Sequence, residues 1–117
     1  MTKIYYYISP SGENFVKNFI DSLSETQQRK VSRIFAYITE FGLGSHILNV
    51  KKLSSTNLWE IRILGKDNIR VIYAVIYKGD VLVLNGFVKK KQKTPNKEIQ
   101  NSQNRLSEWL KSRVLTK

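Results

Sequence analysis

Basic side chains crowd the stretch from residue 50 to residue 93, which holds ten lysines and arginines but only three acidic residues. The densest part is the run Lys89-Lys90-Lys91-Gln92-Lys93, and Arg62 and Arg70 come before it. Cations in this density can bind phosphate groups and stabilise the extra negative charge that develops on them during a reaction. Such a run is also typical of a solvated loop with no catalytic use. The lysine run therefore suggests chemistry on phosphate but does not establish it.

One chemistry on phosphate that such cations could support without a metal is the cleavage of RNA, which needs a base for the ribose 2′-hydroxyl, an acid for the leaving 5′-oxygen and cations for the phosphate. The only histidine is His46, and a lone loop histidine is more often a bystander. Acidic residues are sparse near the basic stretch and show no ligand spacing, so we expect neither metal nor cofactor. Lysine, arginine and Glu60 remain. Because crowded ammonium groups repel one another's protons, one of Lys89, Lys90 or Lys93 should have a lowered pKa and serve as base or acid.

The whole chain carries a formal charge of +11 in 117 residues, which favours a polyanion or an acidic protein as its partner. Improved solubility is the alternative explanation. The length predicts one domain, residues 1–117, and the 41% hydrophobic content predicts that it folds. The chain has no cysteine, which excludes a disulfide framework and a thiolate nucleophile. The apolar run at residues 4–8 is too short for a secretion signal and nothing approaches a membrane span, so we expect a cytoplasmic protein.

Apolar side chains three and four residues apart predict a helix over residues 15–23 and a second helix from Ser24 to Gly42. The hydroxyl of Ser24 and the side chain of Gln27 have the spacing of a capping box, and Gly42 can adopt the backbone angles that end a helix. The two helices should form an antiparallel hairpin. The buried stripe of the second helix is expected to contain Val31, Ile34, Phe35, Ile38 and Phe41.

The hydrophobic period changes from 3.6 to 2 after residue 57. A first strand is predicted at residues 3–8, and three more at residues 58–64, 69–77 and 81–88, joined by short turns into an antiparallel meander. Pro95 suits the first turn of a last helix. The predicted fold class is therefore α+β: a compact antiparallel sheet with an N-terminal strand, a two-helix hairpin, a three-stranded meander and a C-terminal helix.

Strand alternation assigns the side chains of residues 58–64 to two faces. Trp59 shares an apolar face with Ile61 and Ile63, so it is expected in the core and not as a stacking platform for bases. Glu60 and Arg62 share the opposite face, which is expected to be open. There Glu60 is favoured as an ion-pair partner that positions Arg62 over a role as general base.

Two aromatic side chains of the later strands have separate expectations. Phe87 has the same parity as Lys89, and it either stacks on a base or closes the core. Tyr73 alternates with Val71 and Val75 and is expected to be buried.

Three motifs occur in order: Leu58-Trp59-Glu60-Ile61-Arg62, then Arg70 to Tyr73, then Phe87 to Pro95 with Glu98-Ile99. Together they resemble the LWELR, R-x-x-Y and F-x-KK-x-QKTP signature of the phage-derived, HigB-like branch of the RelE/ParE toxin superfamily of type II toxin–antitoxin systems. The resemblance covers residues 3–110, and its specific part is residues 58–99. It implies a RelE-like fold, ribosome-dependent cleavage of messenger RNA, and a HigA-like helix-turn-helix antitoxin as partner in addition to the ribosome.

The resemblance also implies roles for individual residues. The catalytic candidates are the strand arginines, three lysines and one carboxylate: Arg62, Arg70, Lys89, Lys90, Lys93 and Glu60. The candidates for contact with RNA or the ribosome are Lys51, Lys52, Lys66, Phe87, Lys91 and Lys97. The chain departs from relatives at Asn85, where histidine is frequent, at Lys91, where threonine is common, and at Ser102, where alanine is usual. The missing imidazole at position 85 removes one candidate acid or base.

Three other functions are compatible with the same residues. A ParE-type protein would inhibit DNA gyrase and cut nothing, a plain RNA-binding or ribosome-binding module would use the basic surface without chemistry, and a phage-borne protein would bind only another protein. Retention of Arg62, Arg70 and the lysine run favours cleavage. In that case the antitoxin is expected to cover the basic face.

Overall fold

The computed structural model of the chain describes residues 1–44, 49–63, 65–90 and 93–115. Its elements follow in the order β1 (Ile4–Tyr6), α1 (Phe15–Asp21), α2 (Glu25–Phe41), β2 (Asn49–Lys52), β3 (Trp59–Ile63), β4 (Ile69–Val75), β5 (Val81–Val88) and α3 (Asn96–Leu115), with a 3-10 turn at Tyr77–Gly79 between β4 and β5. Within these ranges, no helix is both long enough and apolar enough to cross a membrane.

The five strands form one sheet in the order β1-β5-β4-β3-β2. The α+β class and the antiparallel meander β3-β4-β5 are confirmed. Two features differ from the expectation. β1 pairs with β5 in parallel, and β2 adds a fifth strand antiparallel to β3. The sequence of β2, Asn-Val-Lys-Lys, has no alternation of apolar and polar residues, because an exposed edge strand does not require one.

The two N-terminal helices begin at polar caps. Asn14 accepts a hydrogen bond from the amide of Lys17 at the start of α1, and the predicted capping box of Ser24 and Gln27 is present at the start of α2. Helix α1 ends at Asp21, two residues earlier than predicted. Helix α2 ends at Phe41 and is capped by Gly42, whose φ of 80° lies in the region that favours glycine.

The buried stripe of α2 is confirmed except in its last turn. Val31 and Ile38 are fully buried, and Ile34 and Phe35 are partly buried against the same core. Phe41 was expected inside but is 62% exposed. Its ring packs on Tyr37 with a centroid distance of 4.8 Å, so part of its surface is covered by another ring of the same helix.

The sheet is buried on both faces. Helices α1 and α2 cover one face, where Val16, Val31 and Ile38 pack on Ile61 and Val71. Helix α3 covers most of the other face, which holds a second cluster: Leu58, Ile72, Leu82 and Leu84, with Ile99, Leu106 and Trp109 from the helix. We call the first the hairpin face and the second the α3 face. The expectation that the face of Leu58 and Glu60 is open was therefore wrong for most of its length. Strand β4 has apolar side chains on both faces, so both faces of the sheet must be covered.

A β-bulge divides β5 into two halves. Tyr73 pairs with Val83 and Ile72 pairs with Asn85, which leaves Leu84 without a partner on β4. The extra residue reverses the parity of the strand, so Asn85 and Phe87 lie on the α3 face although Val83 lies on the hairpin face. The carbonyl oxygen of Leu84 accepts a hydrogen bond of 2.8 Å from Nη1 of Arg105, which fastens α3 to the bulge.

The guanidinium of Arg105 also lies over the ring of Phe15, with 4.3 Å between Cζ and the ring centroid. Burial lowers the pKa of Arg105, and the nearby Tyr7 and Glu98 partly oppose that shift. Arg105 is thus held between two elements and serves the fold.

Gly86 allows α1 to approach the sheet directly after the bulge. A Cβ at this position would lie 2.5 Å from Cδ2 of Phe19. We expect Gly86→Ala to lower the free energy of unfolding by about 1–3 kcal/mol, as overpacking does. Gly44→Ala is the matched control, since no atom lies within 4 Å of its Cβ, and it should change stability by less than about 0.5 kcal/mol. Urea denaturation measures both. Equal stability of the two variants would contradict the close approach of α1.

Candidate active site

Strand register brings the predicted basic residues together at one end of the α3 face. Arg62 on β3 lies opposite Arg70 on β4, and Arg70 lies opposite Phe87 on β5. Lys51 on β2 lies opposite Glu60. Neighbouring strands are about 4.8 Å apart, so these side chains are near neighbours. Four strands therefore contribute to one site.

Lys89 joins this site just after β5. Lys89 is two residues after Phe87, so strand alternation places both side chains on the same face. Its backbone amide donates a hydrogen bond of 2.8 Å to the carbonyl of Asn68 in the β3–β4 turn. The bulge at Leu84 places this half of the strand on the α3 face. Without the bulge, the same alternation would direct Lys89 toward α1 and α2.

Three charged residues of the site are buried. Glu60, Arg70 and Lys89 are 4%, 5% and 8% exposed, whereas Arg62 is exposed. The Glu60 carboxylate approaches Arg70 with 3.6 Å between Oε1 and Nε. Its other oxygen, Oε2, accepts a hydrogen bond of 2.5 Å from the hydroxyl of Thr94, itself buried. One carboxylate therefore links β3, β4 and the segment that leads into α3.

The ion-pair partner of Glu60 is Arg70, and the expected pairing with Arg62 was wrong. Glu60 lies opposite Ile72, so Arg70 is its diagonal neighbour across the strand pair. Arg62 follows Glu60 on the same strand, and its side chain is in solvent. A buried carboxylate gains most from the cation that is buried with it, because solvent screens the exposed one.

The Arg70 guanidinium is surrounded by unequal charges. Burial lowers the pKa of Arg70, the positive charge of Arg62 lowers it further, and Glu60 opposes both. Nη1 donates to the carbonyl of Ile69 at 3.3 Å. Among the described residues, Nε has no hydrogen-bond partner. Arg70 thus retains donor capacity at a buried position beside an exposed arginine.

Lys89 has a lowered pKa, and burial is the largest cause. Glu60 acts in the opposite direction, but the positive charges of Arg70, Arg62 and Lys51 lower the pKa further. A lowered pKa was expected for one lysine of this run, but the expected cause, repulsion among the crowded lysines, is not the cause here: burial and the cations of the neighbouring strands lower it. Lys90 and Lys93 are exposed, and they line a shallow pocket of about 450 Å³ with Thr94 and Pro95 at the start of α3.

The predicted RNA-contacting residues are distributed unevenly. Lys51 faces the site, Lys66 is exposed in the β3–β4 turn, and Lys97 is exposed in the first turn of α3. Lys52 lies opposite Trp59 and lines a groove at the other end of the sheet, so the structure does not bring it to the site. Phe87 is buried in the cluster under α3, which favours the core alternative over base stacking. Lys91 and His46 lie outside the described residues.

The remaining aromatic expectations agree with the structure. Tyr73 is buried, and burial raises its pKa to about 12. Trp59 is partly buried against the hairpin-face core.

Two polar side chains have structural roles that the sequence did not reveal. Asn85 donates a hydrogen bond of 3.0 Å from Nδ2 to Oε1 of Glu98, which ties β5 to the first turn of α3. Ser102 is fully buried and donates to the carbonyl of Glu98 at 2.8 Å. Thr94 was also missed as a site residue. No local sequence signal identifies it, because its partner Glu60 is 34 residues away along the chain.

The site consists of cations around one carboxylate. The described ranges contain no group of three or more histidine, aspartate or glutamate side chains that could hold a metal ion. The chemical resources present are two arginines that can clamp a phosphate, one lysine with a lowered pKa, and a carboxylate held by Arg70 and Thr94.

Comparison with known proteins identifies the family of the chain. The family described as phage-derived protein Gp49-like matches residues 18–107, a span that begins in α1, ends in α3 and includes β2 to β5. No curated protein matches the chain. A similar solved structure is the YoeB dimer from Staphylococcus aureus, with 19% identity and a TM-score of 0.49 over 70% of this chain and 90% of that one. Because the family match spans well over half of the sequence, the chain belongs to the phage-derived Gp49-like family, a family of RelE/HigB-type toxins of toxin–antitoxin systems.

Proposed function

We propose that this toxin is a ribosome-dependent endoribonuclease that cuts messenger RNA and stops translation. The observation that carries the proposal is the burial of Lys89 among Arg62, Arg70 and Lys51, which lowers the pKa of its amine beside two phosphate-binding arginines. A group with a perturbed pKa next to preorganised cations is the combination that proton transfer at a phosphate requires.

In the proposed reaction, the neutral amine of Lys89 takes the proton of the ribose 2′-hydroxyl. The 2′-oxygen attacks the adjacent phosphorus, the bond from phosphorus to the 5′-oxygen breaks, and water protonates the leaving oxygen. The products are a 2′,3′-cyclic phosphate and a 5′-hydroxyl end. Arg62 and Arg70 bind the non-bridging oxygens, where negative charge increases in the transition state.

Glu60 and Thr94 are positioning residues in this proposal. The carboxylate holds Arg70 from one oxygen and accepts the Thr94 hydroxyl with the other, so it is engaged on both sides. Both oxygens already have partners, so the geometry favours a positioning role for Glu60 over that of general base. Glu60 is therefore assigned the ion-pair role, and the arginine that it positions is Arg70 instead of Arg62.

The dependence on the ribosome follows from the small catalytic inventory. One lysine and two arginines supply charge and a single proton-transfer group, but little that orients a flexible RNA strand. A ribosome that holds the message in a fixed conformation would supply this orientation. The exposed lysines, Lys66, Lys90, Lys93 and Lys97, would dock on ribosomal RNA and displace its counterions.

A toxin of this class implies an antitoxin as its regulatory partner. We propose a HigA-like helix-turn-helix protein in that role, encoded beside the toxin. Its co-expression should restore growth of cells that make the toxin.

The first test compares messenger RNA with and without translating ribosomes. We expect primer extension to reveal cuts only in the translated message, because naked RNA is not oriented for attack. Equal cutting of naked RNA would contradict the ribosome-dependent mechanism. Intact message together with inhibited DNA supercoiling would instead indicate a ParE-type activity.

The second test removes one arginine of the clamp. Arg62→Ala should slow single-turnover cleavage by roughly 10²-fold, the loss that follows removal of one preorganised donor. Arg62 is exposed, so its removal leaves no buried charge unpaired. The matched control is Arg29→Ala, which deletes the same charge from an exposed i,i+4 ion pair on α2. If both variants lost the same activity, the total charge would matter and the clamp would not.

The third test follows cleavage against pH. As a base, Lys89 must lose its proton, so the single-turnover rate should rise about tenfold per pH unit and level off at the lowered pKa of Lys89. Lys89→Arg keeps the positive charge but cannot lose a proton, and it should give a slow, pH-independent rate. A wild-type rate that is flat or falls with pH would contradict the role of Lys89 as base.

A further inference from the structure

Exposed apolar side chains collect at the end of the sheet opposite the basic site. Within the described ranges eight large apolar side chains are exposed, and five of them line two adjoining cavities: Tyr5, Ile8, Val75, Tyr77 and Leu110. Tyr77 is the most exposed of the five, at 73%. Clustered exposure of this kind marks a binding surface more often than scattered single residues do.

The two cavities form one continuous surface because they share Ile76, Tyr77 and Trp109. The first, of about 600 Å³, is a groove between the end of β4 and the second half of α3. The second, of about 560 Å³, continues along β1. In the turn that follows, Lys78 has a φ of 68°, which is uncommon outside glycine and holds the backbone in a tight reversal next to Tyr77.

The rim of this surface is positively charged. Lys52 lines the groove, and Lys3 and Lys78 line the adjoining cavity. Nζ of Lys78 lies 5.8 Å from the centroid of the Tyr77 ring. The one acidic residue on the lining, Asp80, already accepts a hydrogen bond of 3.0 Å from the backbone amide of Lys3. An apolar floor with a lysine rim complements a segment with apolar and acidic residues.

We infer that this surface, lined by Val75, Tyr77, Trp109 and Leu110 and bordered by Lys52 and Lys78, docks an acidic amphipathic helix of a partner protein. Apolar anchors spaced like the residues of one helix face would enter the groove, and flanking carboxylates would meet the lysines. A second copy of this chain is disfavoured, because each copy carries a net charge of +11 and would present the same lysine rim.

The inferred surface is separate from the candidate active site. Arg70 lies near the start of β4 and Val75 at its end, so their Cα atoms are five steps of extended strand apart, about 17 Å. A partner on this surface would leave the basic site open. The inference therefore goes beyond the proposed function and does not depend on it.

Both tryptophans of the chain, Trp59 and Trp109, line the 600 Å³ groove, so their fluorescence reports on its occupation. The probe is a synthetic helical peptide of about five turns, without tryptophan, with leucine at positions i, i+3, i+4 and i+7 and glutamate on its flanks. A second peptide has lysine in place of each glutamate. We expect the glutamate peptide to change the fluorescence with at least tenfold higher affinity than the lysine peptide, and salt should weaken its binding.

Two variants locate the binding surface. Tyr77→Ala removes a mostly exposed ring, so it should fold normally, and it should weaken binding of the glutamate peptide about tenfold or more, as loss of an aromatic anchor does. Phe41→Ala removes another exposed ring, on α2, and should leave binding unchanged. Charge reversal at Lys52 and Lys78 together, K52E and K78E, should invert the preference between the two peptides.

Several results would overturn the inference. These are equal affinity for both peptides, no fluorescence change with either, or equal effects of Tyr77→Ala and Phe41→Ala. Concentration-dependent self-association that Tyr77→Ala abolishes would assign the surface to a second copy instead. Because the assay contains no RNA, its outcome is independent of whether the protein cleaves messenger RNA.

Discussion

The contact between Glu60 and Arg70 is the interaction on which the basic site depends. Glu60 is the only acidic side chain of the described site, and four basic residues lie around it: Lys51, Arg62, Arg70 and Lys89. Breaking a buried ion pair by removal of one partner typically costs about 3–5 kcal/mol, because the remaining charge stays buried without compensation. The same carboxylate accepts the Thr94 hydroxyl, so it also fixes the segment that carries the lysines into α3. This one carboxylate partly offsets the excess positive charge of the site, since it opposes the lowering of the pKa of both Arg70 and Lys89.

Helix α3 determines which part of its sheet face is core and which part is available for chemistry. Its apolar residues cover Leu58, Ile72 and Leu82, and its first turn is tied to β5 through Glu98 and Asn85. Beyond that tie the face carries Arg62, Arg70 and Lys89. The core and the site are therefore consecutive parts of the same strands. Because Arg62 and Arg70 lie within these strands, their backbone is held rigidly, as preorganised binding of a ligand requires.

Much of the fold follows from local sequence. The capping box at Ser24, the end of α2 at Gly42 and the meander were predictable because cap chemistry and hydrophobic period are local properties. The site was predicted as a set of residues, but its interior was not. Alternation alone cannot show that α3 covers the face of Glu60, nor that Leu84 is a bulge, since both depend on contacts between distant segments. For this reason the burial of Arg70, the partner of Glu60 and the role of Thr94 required the tertiary structure.

The bulge at Leu84 has a consequence for how the protein can evolve. Before it, the odd-numbered positions Val81 and Val83 belong to the hairpin-face core, and after it Asn85 and Phe87 belong to the opposite face. The side chains of this one strand therefore alternate in one phase before Leu84 and in the opposite phase after it. Substitutions in its second half can alter the chemistry near the site while the packing of the first half against α1 and α2 stays the same. The eight residues of this strand therefore allow variation beside the site at Asn85 and Phe87, which face α3, while Gly86 between them must keep its contact with Phe19 of α1.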